Sequence, residues 1–192
     1  MQDLKYFDRF ERYVDLADVY AHDQNYRITS QFGASRRILV AAIHGGNIEP
    51  GTSDIARAIA GDDHGLYLFE GLEWSGGYHD MHITSDNFDE PIFDAMADAH
   101  DIVISVHGCR DDWGDGVMIG GLDHTLCADI TDALQSAGIT VQTGDHVFSG
   151  ASPRNICNRG RLGRGIQLEI PRRMRNSIDH MNMISRAVIL AV

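Results

Sequence analysis

A chain of 192 residues is long enough to bury one sizeable core. Its 43 % hydrophobic and 23 % charged content suits a globular protein. The net charge of −12, with Lys5 as the only lysine, argues against a general nucleic-acid binder. The longest apolar runs, "ILVAAI" and "AVILAV", fall far short of the roughly 20 residues a membrane-spanning helix needs.

Residues 1–37 read as a short helical start, peripheral over 1–25, and then an irregular approach. The opening "MQDLKYFDRFERYVD" has no apolar core of the signal-peptide kind, so the expectation is a soluble protein, cytoplasmic as synthesised. "RRILVAAIHGG" is a continuous apolar run bounded by glycine, the pattern of a strand buried on both faces. "TSDIARAIAG" follows as a helix, with Thr52 or Ser53 as N-cap and Gly61 as its stop. "GLYLFEGL" reads as a strand, "EPIFDAMADAHD" as a helix and "IVISVHGC" as a second buried strand. "GVMIGG" is a short strand, "HTLCADITDALQSAG" a helix ended by Gly138 and "ITVQTG" a strand. "GIQLEIPR" is a strand stopped by Pro171, and "NSIDHMNMISRAVILAV" a terminal amphipathic helix.

Alternating strands and helices predict a single α/β domain over 1–192: a three-layer sandwich with a mixed, mostly parallel central sheet and helices on both faces. Ligands in such folds bind beyond the carboxyl ends of the strands, which selects the residues to weigh. "VAAIHGG" ends in His44 and "VISVHGC" in His107, near copies of one another. Glu49 lies in the loop after His44, and Glu169 sits alone in the apolar run "IQLEI". A histidine at a strand end is ordinarily a surface or capping residue. Two of them on one sheet edge, with a carboxylate in reach, are also the ligand set of a catalytic zinc that keeps its fourth position open. Such a metal needs a base to take a proton from water, and Glu169 suits that role because a lone buried carboxylate is costly without a function or partner.

Cys109, Cys127 and Cys157 contain no CxxC pair and are odd in number, so free thiols are expected rather than disulfides or zinc ligands. "HGG" has the look of an esterase oxyanion loop, but no G-x-S-x-G elbow accompanies it. "RGRLGRG" matches neither dinucleotide nor phosphate-loop spacing.

Five blocks carry a resemblance: "AAIHGGNIEPGTSDIA", "LYLFEGL", "HITSDNFDEP", "SVHG" and "NICNRGRLGRGIQLEI". In this order, from about residue 26 to the end, the chain resembles the poly-γ-glutamate hydrolases of phages and bacteria, whose members also carry the label of phage-related replication proteins. That resemblance implies a compact zinc carboxypeptidase-like fold, one Zn²⁺ held by His44, Glu49 and His107, and amide hydrolysis with Glu169 as the base. Zinc carboxypeptidases separate the first His and Glu by two residues, whereas here Gly45, Gly46, Asn47 and Ile48 intervene, so this loop takes a different path.

The implied substrate is a polymer with a carboxylate on every residue. Arg154, Arg159, Arg161 and Arg164 lead into the Glu169 strand and suggest a positive rim that guides a polyanion; the opposing reading pairs them with the protein's own acids. Arg154, Asn155, Arg159, Arg164 and His82 are the expected substrate contacts. Two alternatives stay open: a zinc carboxypeptidase or amidase for another acidic peptide or cell-wall fragment, and a non-catalytic binding protein stabilised by its metal. Neither nucleic acid nor a membrane is an expected partner, and release by lysis fits a phage origin.

Overall fold

A computed structural model of the chain describes residues 8–72, 80–142 and 146–192. Its strands are β1 (Tyr26–Gln31), β2 (Ile38–Gly46), β3 (Gly65–Gly71), β4 (Ile102–Cys109), β5 (Val117–Gly120), β6 (Val141–Gln142) and β7 (Ile166–Pro171). Its α-helices are α1 (Tyr13–Ala17), α2 (Thr52–Ala60), α3 (Pro91–Asp98), α4 (His124–Ser136), α5 (Arg172–Arg175) and α6 (Ile178–Ala191). The strands form one sheet in the order β1-β3-β2-β4-β7-β5-β6. The four middle strands run parallel, β1 is antiparallel to β3, and β5 is antiparallel to β7.

The apolar run of β2 is explained by its place at the centre of two cores. Ile38, Val40 and Ala42 face Ile55 and Ile59 of α2, together with Ile130 of α4 and Ile184 of α6. Leu39, Ala41 and Ile43 face the other way, toward Leu16 of α1, Phe88, and Phe93 and Met96 of α3. Successive strand side chains point to opposite faces. Ile166, Leu168 and Ile170 of β7 join the first core, so Gln167 and Glu169 emerge on the second face. The expected three-layer α/β sandwich with a mixed, mostly parallel sheet is what forms.

Several local expectations change. Tyr26–Gln31, read as irregular, is an edge strand. Neither Thr52 nor Ser53 caps α2: Gly51 occupies the cap at φ 93°, and Thr52 Oγ1 donates to the Glu49 carbonyl. The terminal helix forms as α6, where the Ser177 cap hydroxyl accepts from the His180 amide, but a short helix not expected from the sequence, α5, precedes it. The expected strand "ITVQTG" is seen only as Val141–Gln142; its Thr143 and Gly144 lie outside the described residues, as do residues 1–7 of the N-terminal segment. The described part of that segment packs closely, with Leu16 buried and the Tyr13 amide bonded to Asp89 at 2.6 Å.

Candidate active site

Strict alternation would send His44 to the α2 side with Ala42. The pairing of β2 with β3 slips in register between Ala42 and Gly45, and His44 turns instead into the cavity that His107 also lines. Four residues then separate His44 from Glu49, and the loop closes on itself. The Glu49 amide donates to the His44 carbonyl at 2.8 Å, and the Asn47 amide and side chain donate to the carbonyls of Gly71 and Leu72. Gly46 stands at φ 62°, a conformation side chains rarely adopt.

Three donor atoms converge as a result. His44 Nδ1 lies 3.1 Å from Glu49 Oε1 and 3.1 Å from His107 Nδ1, and His107 Nδ1 lies 4.0 Å from Glu49 Oε2. His44 Nε2 faces the Ile83 carbonyl at 2.9 Å and Nδ1 faces the Glu49 carboxylate at 3.1 Å, so both ring nitrogens have acceptors and a bound cation would take the place of the Nδ1 proton. His107 Nε2 faces Ser85 Oγ at 3.4 Å, and the hydroxyl can serve either tautomer. Two imidazole nitrogens and a carboxylate facing one spot make a set that suits a cation. A second set, His44, Glu49 and His82, has its ligand atoms within 4.8 Å of one another. In that second set His82 also has other partners: its Nδ1 meets Asp8 Oδ1 at 2.6 Å and its ring stacks on His44 at 3.9 Å.

The electrostatics match this geometry. Burial opposes charge on His44, but the neighbouring Glu49 carboxylate overrides it and raises the ring's pKa. Burial also works against an ionised Glu49, yet His44 holds it down to about 2. Burial and then the His44 charge push His107 down to about 3. The two rings do not both carry a charge: His107 stays neutral and keeps a lone pair, and the His44 proton beside Glu49 is the one a metal would displace. Burial, reinforced by the charge of Glu49, holds Glu169 well above the ordinary carboxylate range, and Arg175 opposes the rise.

Glu169 pairs in register with His107 across β4 and β7. Its Oε1 accepts from Gln167 Nε2 at 3.1 Å, and Gln167 Oε1 accepts from Asn155 Nδ2 at 2.8 Å. All of these side chains line a cavity of about 380 Å³, along with Asp8, Asp86, Trp113 and Phe148.

His44, Glu49, His107 and Glu169 are therefore brought together, and His82 and Asn155 join them on the cavity wall. Asn155 is an organiser: its Oδ1 accepts from the Cys157 amide at 3.1 Å and its Nδ2 aligns Gln167. The arginine cluster does not form a free rim. Among the described residues, Arg154, Arg159 and Arg164 are absent from the cavity lining. Arg159 donates to the carbonyls of Arg154, Phe88, Ser85 and Asp86 and meets Asp94. Arg164 pairs with Asp123 at 3.1 Å and Arg161 with Asp101 at 2.6 Å. Arg154 meets Asp86 at 3.7 Å and stays largely exposed. The protein's own acids thus draw these side chains.

Sequence reasoning missed Asp8, Gln167 and Arg175. Gln167 carried a signal, since it shares the strand face of Glu169. Asp8 carried none, because its partners His82 and Thr84 lie more than seventy residues away.

Known proteins resemble this chain over nearly its whole length. The family model described as poly-gamma-glutamate hydrolase matches residues 10–188. The UPF0714 protein YndL of Bacillus subtilis (strain 168) is 36 % identical over 197 residues, covering 93 % of this chain and 76 % of that one. A bacteriophage poly-gamma-glutamate hydrolase structure superposes with a TM-score of 0.90 at 29 % identity, covering 96 % of each chain. A zinc-free apo structure of YndL gives 0.87 at 32 % identity, covering 96 % of this chain and 97 % of that one. A carboxypeptidase A-like structure from Shewanella denitrificans OS-217, at 13 % identity and a TM-score of 0.53, covers 85 % of this chain and 59 % of that one and shares the fold alone. With the model spanning nearly the whole chain and YndL alike along most of it, this chain is a hydrolase of the poly-γ-glutamate hydrolase family.

Proposed function

We propose that the protein is a zinc-dependent amidohydrolase that cleaves γ-glutamyl amide bonds, with poly-γ-glutamate as its substrate. The observation that carries this reading is the convergence of His44 Nδ1, His107 Nδ1 and the Glu49 carboxylate beside Glu169 in one cavity. The residues fit one zinc ion, held by His44, Glu49 and His107, which matches the neutral imidazoles and carboxylate that such a centre prefers. When bound, zinc supplies Lewis acidity that polarises the amide carbonyl and lowers the pKa of water.

The chain's own residues do the rest. Glu169 takes the proton of the attacking water and delivers it to the leaving nitrogen, a role worth about 10²–10⁴-fold in rate. Gln167, aligned by Asn155, holds one Glu169 oxygen and leaves the other for this transfer. His82, braced by Asp8 and stacked on His44, contacts the substrate. Arg154, exposed beside the cavity-lining Asp86, meets an α-carboxylate of the polymer.

The test is metal analysis of the purified protein, with polymer chain length followed with and without chelator. Bound zinc, loss of cleavage on chelation and its return with zinc are expected. Glu169→Gln should keep its zinc and lose at least about 100-fold in kcat. Chelator-insensitive cleavage sinks the zinc mechanism, and equal cleavage of α-linked polyglutamate sinks the γ-amide assignment.

A further inference from the structure

Arg175 ends α5, immediately after β7, and is 6 % exposed. Its guanidinium reaches three segments at once. Nε donates to the Ile170 carbonyl at 2.9 Å, Nη2 to the Cys109 carbonyl at 3.3 Å, and Nη1 to the Pro50 carbonyl. Ile170 follows Glu169, Pro50 follows Glu49, and Cys109 lies two residues past His107. One side chain therefore ties together the three backbone segments that present two proposed zinc ligands and the proposed base.

Two glycines make room for it. A Cβ on Gly108, the residue after His107, would overlap the Arg175 guanidinium. A Cβ on Gly51, two residues after Glu49, would fall 2.8 Å from the Arg175 carbonyl oxygen. The glycine of "VHG" thus has a packing reason beyond loop freedom. Burying a guanidinium is costly, and all three of its hydrogen bonds go to carbonyls rather than to a carboxylate. The carboxylates whose charge acts on it are Glu49 and Glu169, both in the site.

We infer that Arg175 is a positioning residue: its three-way contact sets the spacing of Glu49, His107 and Glu169, and through that the affinity for zinc and the placement of the base. It touches neither metal nor substrate, and the inference rests on the zinc reading above. Groups that orient metal ligands from behind typically control affinity by about 10–100-fold.

The experiment is a zinc titration of the metal-free protein against a chromogenic chelator, with melting temperature and circular dichroism as controls on folding. Arg175→Met should weaken zinc by about 10–100-fold and lower kcat while KM holds. Arg175→Lys should not restore affinity, because an ammonium lacks the planar fork. Gly108→Ala, which displaces the guanidinium without removing it, should weaken zinc in the parent protein and add little in the Arg175→Met background. A folded Arg175→Met with parental zinc affinity overturns the inference, as do additive effects in that pair of substitutions. If the Arg175 variants do not fold, Gly108→Ala decides alone, and parental affinity there overturns it. A parent protein that binds no zinc overturns the zinc reading and this inference together, which separates that failure from the others.

Discussion

His44 enters the site with one nitrogen already committed, because the Ile83 carbonyl takes the Nε2 proton and leaves Nδ1 to face Glu49 in the cavity. Glu169 is the opposite kind of residue, a group whose charge state the protein leaves strained. Buried and next to the charge of Glu49, its carboxyl is held well above the ordinary carboxylate range. In the metal-free protein the folded state then keeps a proton that the unfolded chain releases near pH ~4.3. Between those two values the unfolded state binds fewer protons, so this residue's contribution to stability falls as pH rises and levels off above the folded pKa. Urea unfolding of metal-free parent and Glu169→Gln, from about pH 4 to pH 8, should show a difference in stability that shifts in the variant's favour with rising pH. A difference independent of pH would count against a raised Glu169.

At the scale of elements, the segment between β3 and α3 does more than connect them. Its described part carries His82, Ile83, Ser85 and Asp86 to the cavity or its ligands, and Arg159 secures it through the carbonyls of Ser85, Asp86 and Phe88. Arg159→Ala should destabilise the fold by about 1–3 kcal/mol through stranded carbonyls, seen as a lower melting temperature, and Arg159→Lys should not rescue it. A substrate contact would behave differently, raising KM at unchanged melting temperature. The same residue shows where reading from sequence stops. The strand-and-helix alternation was legible, and the cavity gathers His44, His107 and Glu169 from apolar strands and Glu49 from the loop after one of them. The half-exposed edge strand "YRITSQ" has no such run and was not legible. Nor were the partners of Arg159 and Arg175, since a guanidinium meets carbonyls 71 and 125 residues away for reasons only the folded chain supplies.

For the whole molecule the balance of charge decides how a polyanion arrives. The chain carries −12. Five arginines of residues 154–175 pair with Asp86, Asp94, Asp101, Asp111 and Asp123. The cavity itself is lined by Asp8, Glu49, Asp86 and Glu169. Long-range forces should therefore hinder a poly-γ-glutamate chain rather than steer it. Raising ionic strength from about 0.01 to 0.15 M shortens the screening length from about 30 to 8 Å, and kcat/KM for long polymer should rise several-fold. A fall with added salt would restore the idea of a guiding basic rim. The three cysteines bear on a different aspect of the molecule's life. Cys109 and Cys157 are buried and Cys127 is half-buried, and burial pushes their thiols up to about 12, 12 and 11. With almost no thiolate at neutral pH, these sulfurs resist oxidation and exchange. No disulfide joins them, so packing and hydrogen bonding hold the fold together without a covalent cross-link.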